Sequence, residues 1–356
     1  MTALQTIAVA LAMFSALPMP QFDWNEKNMR YALCAFPLVG AVCGALWCVC
    51  GVLPLPAAAR AAGFCLVPVW VTGGIHLDGY ADTCDALSSY GDTAKKLEIL
   101  KDPHCGAFAV IRLCSYFAAY FALCGCVAFT PRVGVLWTLA LVGERALSGL
   151  AVAAFPLAKN TGLAHTFATA ADRVRVRQVL AALCAMLAVG LTALGGWALV
   201  LAAGCVFARY YVVSKKQFGG VTGDLAGWFL QKCEIWMLAA LAACQWLGVL
   251  YMVFVTGPLC SGKRTFAQKL GGRQMYDVQD LAADAADLNR LADELADYDV
   301  VTAAEVGGGV VPIDPAARAA REAAGRLACL LAARADCVVQ MFCGLPTILK
   351  GELPKC

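Results

Sequence analysis

Five stretches of the chain, Met1–Phe22, Tyr31–Ala59, Leu113–Pro131, Gln178–Ala208 and Ile235–Gly262, contain no Asp, Glu, Lys or Arg. Several exceed the roughly 20 residues that a spanning helix needs. With 61% hydrophobic and 15% charged residues over 356 positions, and a mean hydropathy of +0.68, the chain is far from a soluble domain and lipid is its expected solvent. The first run lacks a basic leader, and Leu17-Pro-Met-Pro20 is a poor cleavage site, so it is read as a helix and not as a removable signal.

About seven or eight helices are expected, near 4–17, 31–52, 58–74, 106–129, 133–155, 179–194, 196–212 and 234–250. Near residue 250 the hydropathy falls, and the rest of the chain is rich in Ala, Asp and Arg with the periodicity of soluble helices and strands. The expected fold is mainly α: a polytopic transmembrane bundle over 1–250, then a small α/β P-loop-like domain over 251–356. The 19 cysteines sit largely in apolar runs without zinc spacing and read as reduced, buried hydrophobes. A net charge of +3 with no basic tract gives nucleic-acid binding no support.

Chemistry is expected in the polar loops. Gly73-Gly-Ile-His-Leu-Asp-Gly-Tyr-Ala-Asp-Thr-Cys-Asp85 spaces Asp78, Asp82 and Asp85 by four and three, which puts three carboxylates on one helical face. Like charges this close repel, so the pattern suits a hard divalent cation, magnesium above all; a solvated acidic helix start is the plainer alternative. Lys95-Lys-Leu-Glu-Ile-Leu-Lys-Asp-Pro-His-Cys-Gly-Ala-Phe108 adds Glu98, Lys101 and Asp102, acid and base together as a phosphate and metal site requires. Phe218-Gly-Gly-Val-Thr-Gly-Asp-Leu-Ala-Gly227 offers Gly220 and Gly223 for close backbone approach to an anion, with Thr222 and Asp224 as oxygen donors, or else is simply a turn. His76 is a base, a phosphate contact or a hydrogen-bonded structural histidine.

These three segments, with Phe36-Pro-Leu-Val-Gly40 and Arg145, resemble the cobalamin synthase family in order over residues 1–250. The family patterns are Gly-Gly-Leu-His-Leu-Asp-Gly-Leu-Ala-Asp-Thr, a Leu-Glu-Ile-(Met/Leu)-Lys-Asp loop and Gly-Gly-Leu-Thr-Gly-Asp. Tyr80, Ala86 and Pro103-His104 depart from them without removing a carboxylate. The resemblance implies an adenosylcobinamide-GDP ribazoletransferase, in which the 5′-hydroxyl of α-ribazole or its 5′-phosphate displaces GMP. Under it, Asp78, Asp82, Glu98, Asp102 and Asp224 are the expected Mg²⁺ ligands, and Asp85, His76 and Lys101 the catalytic groups. Gly220, Thr222, Gly223 and Arg145 are the expected phosphate or substrate contacts. Other late cobalamin-biosynthesis enzymes become candidate partners. A corrinoid transporter, the contrasting class, would carry paired charges inside its spans, whereas the carboxylates of these motifs gather between them.

After Met252-Val-Phe-Val-Thr256, Gly257-Pro-Leu-Cys-Ser-Gly-Lys263 reads as strand, P-loop, helix. Gly257, Ser261, Gly262, Lys263, Thr265 and Glu305 are its expected ATP or GTP contacts. Arg264 stands where a Mg²⁺-binding Ser or Thr is usual. Glu305-Val-Gly-Gly-Gly-Val-Val-Pro312, Asp314-Pro-Ala-Ala-Arg318, Arg321-Glu-Ala-Ala-Gly-Arg326 and Cys343-Gly-Leu-Pro346 resemble the bifunctional adenosylcobinamide kinase and guanylyltransferase, which makes a second, kinase activity the main alternative. That family carries guanylyl on a histidine, and this chain has none after His165.

Lys95, Lys96, Lys101, Arg173, Arg175, Arg177, Lys215 and Lys216 place the loops at 76–105, 156–177 and 211–233 in the cytoplasm by the positive-inside rule. That requires a hairpin at Gly195-Gly196, and it requires 234–250 to re-enter or pack along the bundle if residues 252–356 are to stay on the same side of the inner membrane.

Overall fold

The computed structural model describes residues 2–353 apart from 21, 24, 159–162, 248–250, 309–310 and 352. Two compact units result, Met1–Ala243 and Cys244–Cys356. In the first unit the described regular elements are helices: α1 (Thr2–Phe14), α2 (Glu26–Met29), α3 (Ala32–Ala35), α4 (Pro37–Val52), α5 (Ala57–Thr72), α6 (Ile75–Ser88) and α7 (Thr93–Ile99), then α8 (Ala107–Cys126), α9 (Pro131–Ala154), α10 (Leu163–Ala170), α11 (Arg173–Ala193), α12 (Trp197–Phe218) and α13 (Gly223–Trp246).

Four of these, α8, α9, α11 and α12, are long and apolar enough to cross a membrane, and up to six spans result if two bent pairs count as one each. That is fewer than the seven or eight expected, for three physical reasons. Helix α1 has 13 residues and is about 20 Å long, short of a hydrocarbon core of about 30 Å. The expected helix at 31–52 breaks at Pro37, which has no N–H to donate, and the two halves differ by 43°. The expected helix at 234–250 is the back half of α13, which starts at Gly223 and carries Asp224, Lys232 and Glu234; positions 248–250 lie outside the described residues.

A 94° bend separates α5 from α6. Gly73 (φ +63°) and Gly74 (φ +81°) make it, both in the left-handed region that side chains resist. We therefore read α6 as lying outside the spans. The expected hairpin is present, with α11 ending at Ala193, Gly195 at φ +85° and α12 starting at Trp197.

Helix α9 is the centre of the unit: 61% of its most apolar window is buried in protein, against 22% for α8, α11 and α12, whose other faces are left for lipid. Gly40 lets α4 lie directly on the Leu141 carbonyl of α9, and Trp47 of α4 stacks on Phe64 of α5 at 3.8 Å. Among the described cysteines no disulfide forms, and Cys114, Cys126 and Cys205 are exposed, so not all are the buried hydrophobes expected.

The expectation that charge stays between the spans is corrected here. Arg145 of α9, wholly buried, donates to the carboxylate of Glu144, to Glu234 of α13 at 3.2 Å, and to the Leu141 carbonyl at 3.1 Å. Such groups are costly in apolar surroundings, and here their opposite charges offset one another, although Arg145 Nε and Glu144 Oε2 have no hydrogen-bond partner among the described residues.

In the second unit, β1 (Val253–Gly257), β2 (Gln274–Met275), β3 (Val300–Ala304), β4 (Cys337–Phe342) and β5 (Leu345–Lys350) form one sheet in the order β2-β3-β1-β4-β5. The first four run parallel and β5 antiparallel. Helices α14 (Lys263–Leu270), α15 (Leu288–Leu295) and α16 (Pro315–Arg334) complete it, and α16 packs Leu327 and Leu331 into the same core as Phe254 and Val301.

Removing Arg145 leaves two buried carboxylates without a cation, so Arg145→Met should cost about 3–5 kcal/mol of stability. Thermal unfolding in detergent checks it, and adding Glu144→Gln and Glu234→Gln should recover most of the loss.

Candidate active site

The motif around His76 folds as helix α6, so Asp78, Asp82 and Asp85 do share one face as the spacing requires. Two glycines then decide what faces them. A Cβ on Gly79 would lie 2.8 Å from the backbone of Asp224, and one on Gly227 would lie 2.7 Å from the His76 carbonyl. Helix α6 and the first turns of α13 thus cross at backbone contact, which carries Asp224 to the acidic face. Burial, and then the charges of Asp78, Asp224 and Asp85, push the Asp82 carboxyl up to about 6. Four carboxylates therefore feel one another here. Asp85 lies against Gly106, the N-cap of α8, where a Cβ would collide with its carboxylate. Among the described residues no three His, Cys, Asp or Glu side chains close into a metal cage.

Beside this face lies a cavity of about 480 Å³, lined on its polar side by His76, Asp78, Lys101, Thr222, Gly223 and Asp224. His76 is 7% exposed, and its Nε2 has no hydrogen-bond partner. Burial, and after it the nearby Arg145 guanidinium, push its imidazole down to about 3, so the ring is neutral at physiological pH. Thr222 caps α13, its hydroxyl accepting from the Leu225 N–H at 3.2 Å.

Other expected contacts lie elsewhere. Arg145 is occupied by Glu144 and Glu234, and the cavity does not reach it. Gly220 does not line the cavity either; its missing Cβ lets the loop lie on the backbone of Pro156 and Leu157, next to the Leu157–Val221 bridge. Glu98 pairs with Lys95 at 3.1 Å, and Asp102 with exposed His104 at 2.7 Å, so both carboxylates serve their own loop in this conformation. The cavity is also lined by Phe14, Phe36, Ser148, His165 and Phe167, most of which lie outside the motifs. Only Phe36 sat in a recognisable motif, because single residues on separate elements carry no local signal.

In the second unit, β1, the 258–262 loop and α14 form the expected strand, P-loop and helix, with Gly262 at φ +92°. Lys263 turns its ammonium onto the carbonyls of Gly257 (3.0 Å) and Pro258 (2.6 Å). Ser261 Oγ is buried without a partner, Arg264 is tied to Asp277, and Thr265 is exposed. Glu305 follows β3, its N–H donating to the Gly257 carbonyl at 2.9 Å. In the glycine-rich turn after it, residues 309–310 lie outside the described set.

Residues 6–242 match the family described as cobalamin-5-phosphate synthase, and residues 272–349 match cobinamide kinase / cobinamide phosphate guanyltransferase. The second match begins after the P-loop. Among curated proteins, the adenosylcobinamide-GDP ribazoletransferase of Lachnoclostridium phytofermentans is 40% identical over 71% of this chain and 98% of its own length. Those of Geobacillus sp. (strain WCH70) and Clostridium perfringens are 32% and 30% identical, over 61% and 65% of this chain and 87% and 94% of theirs. The first match covers the helical unit that carries Asp78, Asp82 and Asp224, and the chain belongs to the cobalamin-5-phosphate synthase family, with a cobinamide-kinase-like domain joined behind it.

Proposed function

We propose that this membrane protein transfers the adenosylcobinamide phosphoryl group from adenosylcobinamide-GDP to α-ribazole or its 5′-phosphate. A free ribose hydroxyl of the acceptor, which in the 5′-phosphate is not the already esterified 5′ one, bonds through its oxygen to the cobinamide-linked phosphorus as the bond from that phosphorus to the bridging oxygen breaks. GMP leaves with that oxygen, and the hydroxyl proton passes to a neighbouring base. The observation that carries this reading is the acidic face of α6, met by Asp224, at the edge of a partly open cavity that Lys101 also lines.

The donors suit Mg²⁺, which takes one or two carboxylates and fills its other positions with water and phosphate oxygens, so a closed three-ligand cage is not required. Asp78 and Asp82 would hold it, with Asp224 beside them. When bound, it would neutralise the diphosphate oxygens and the departing GMP. Lys101 adds a cation on the same side of the cavity. Asp85, fixed against the start of α8, is our choice to take the proton, and neutral His76 hydrogen-bonds the acceptor.

A second activity, phosphorylation of adenosylcobinamide, is favoured by the match of residues 272–349 and by the strand, loop and helix at 253–270. Guanylyl transfer through a histidine has no residue to carry it. The basic loops favour a site and a C-terminal unit that both face the cytoplasm, where nucleotides are found.

Asp78→Asn or Asp82→Asn should each lower GMP release at least about 100-fold, as expected when a metal-bound charge in a phosphoryl-transfer site is lost, with membrane insertion intact. Turnover near wild type in both would remove the metal assignment. Deleting 252–356 should leave GMP release largely unchanged in proteoliposomes, while Lys263→Ala in the full chain should affect only an ATP-dependent step. For orientation, single cysteines replacing Thr169, Lys216 and Glu294 in a Cys-depleted background should all resist a membrane-impermeant thiol reagent on intact cells; labelling at 294 alone would put the C-terminal unit outside.

A further inference from the structure

The wall of the cavity opposite its acidic edge is built from parts that the motif chemistry does not use. Phe14 of α1 packs against Phe36 at 4.4 Å and against Phe167 of α10 at 5.2 Å. Leu33 lies beside them and reaches α9 at Gly149, where a Cβ would come within 3.2 Å of the Leu33 carbonyl; Val152 sits one turn later. Residues from α1, the α3–α4 region, α9 and α10, distant in sequence, therefore make one aromatic and aliphatic surface in the lining of a partly open cavity. His76 joins this surface to the acidic face: its ring lies 5.8 Å from Phe36, edge-on, while Asp78 lies two residues on. It is 7% exposed and lines the cavity with an unpaired Nε2. A buried polar atom left unpaired is costly unless a ligand completes it.

Building on the transferase reading, we infer that this cavity seats the nucleoside acceptor, with its flat heterocyclic base against Phe14, Phe36 and Phe167, and that these residues select which base is accepted. Size decides between the two substrates. A cavity of about 480 Å³ suits a drug-sized nucleoside, whereas a corrin ring with its amide arms and upper adenosyl group is several times larger. The donor substrate must then lie outside, on the Asp82 and Asp85 side of α6. Polarity decides between the two bases that the reaction involves. Guanine presents an edge of donors and acceptors that would be largely stripped of water against Leu33, Phe36, Val152 and Phe167, with Ser148 and His165 the polar side chains of that wall. A benzimidazole-type base presents a hydrocarbon edge there, stacks or meets the phenyl rings edge-on, and leaves its ribose at His76 and the carboxylates.

The test uses the full chain in proteoliposomes with adenosylcobinamide-GDP, Mg²⁺ and the α-ribosides of 5,6-dimethylbenzimidazole and of adenine. Phe36→Leu and Phe167→Leu, which nearly preserve volume, should raise KM for the benzimidazole riboside roughly tenfold and leave KM for adenosylcobinamide-GDP within about twofold, the size expected for one lost aromatic contact. Wild type should prefer the benzimidazole riboside to the adenine one. A rise confined to the corrinoid KM, or no change in either, overturns the assignment. Should the variants fail to fold, free 5,6-dimethylbenzimidazole on the wild type still decides: competition with the riboside supports the seat, and competition with adenosylcobinamide-GDP overturns it. Equilibrium dialysis of the riboside without the second substrate separates this inference from the reading beneath it. Binding without any GMP release would sink the transferase and keep the pocket, and absence of binding would sink the pocket.

Discussion

The backbone contact between α6 and α13 is the constraint on which the site rests. Gly79 and Gly227 face the Asp224 backbone and the His76 carbonyl across it, and any side chain at either position would hold the two helices apart. Separation would take Asp224 away from Asp78 and Asp82 and widen the cavity between His76 and Thr222. The 94° turn at Gly73-Gly74 serves the same end from the other side, since it swings α6 away from the axis of α5 and lays its acidic face along the bundle end.

Arg145 secures this crossing from within. Its bond to Glu234 ties α13 to α9, the most buried helix of the unit, ten residues below Asp224. The same guanidinium lies close enough to His76 to help hold its imidazole neutral. A charge cluster in an apolar setting commonly marks a transport path. Here its members bond to one another and to the Leu141 carbonyl, and Arg145 does not line the cavity beside α6, so the cluster ties α13 to α9.

The two units carry different groups suited to phosphate. The bundle offers carboxylates suited to a cation, with Lys101 alongside, on helices whose packing fixes them. The C-terminal unit offers a loop of backbone donors at the start of α14 in which Lys263 donates to the loop's own Gly257 and Pro258 carbonyls. Arg264, where a metal-binding hydroxyl is usual, is taken up by Asp277.

Local pattern alone determined a good deal. Uncharged runs announced a membrane bundle, the spacing of Asp78, Asp82 and Asp85 announced a one-sided acidic helix, and strand, glycine loop and lysine announced the P-loop, because each depends on residues within a few turns of one another. Tertiary structure decided the rest. It turned an expected short helix at 234–250 into the tail of α13, and it broke 31–52 at Pro37. Arg145, expected at the substrate, is claimed by Glu144 and Glu234, while Glu98 and Asp102, expected at the metal, stay with Lys95 and His104. The aromatic wall of Phe14, Phe36 and Phe167 comes from α1, the turn between α3 and α4, and α10, separated by up to 153 positions of chain (167 − 14), and nothing in the sequence near any one of them records the other two. Partners of this kind are set by which helix faces meet, and that depends on where glycines allow backbones to touch and where a buried charge must find its counter-charge.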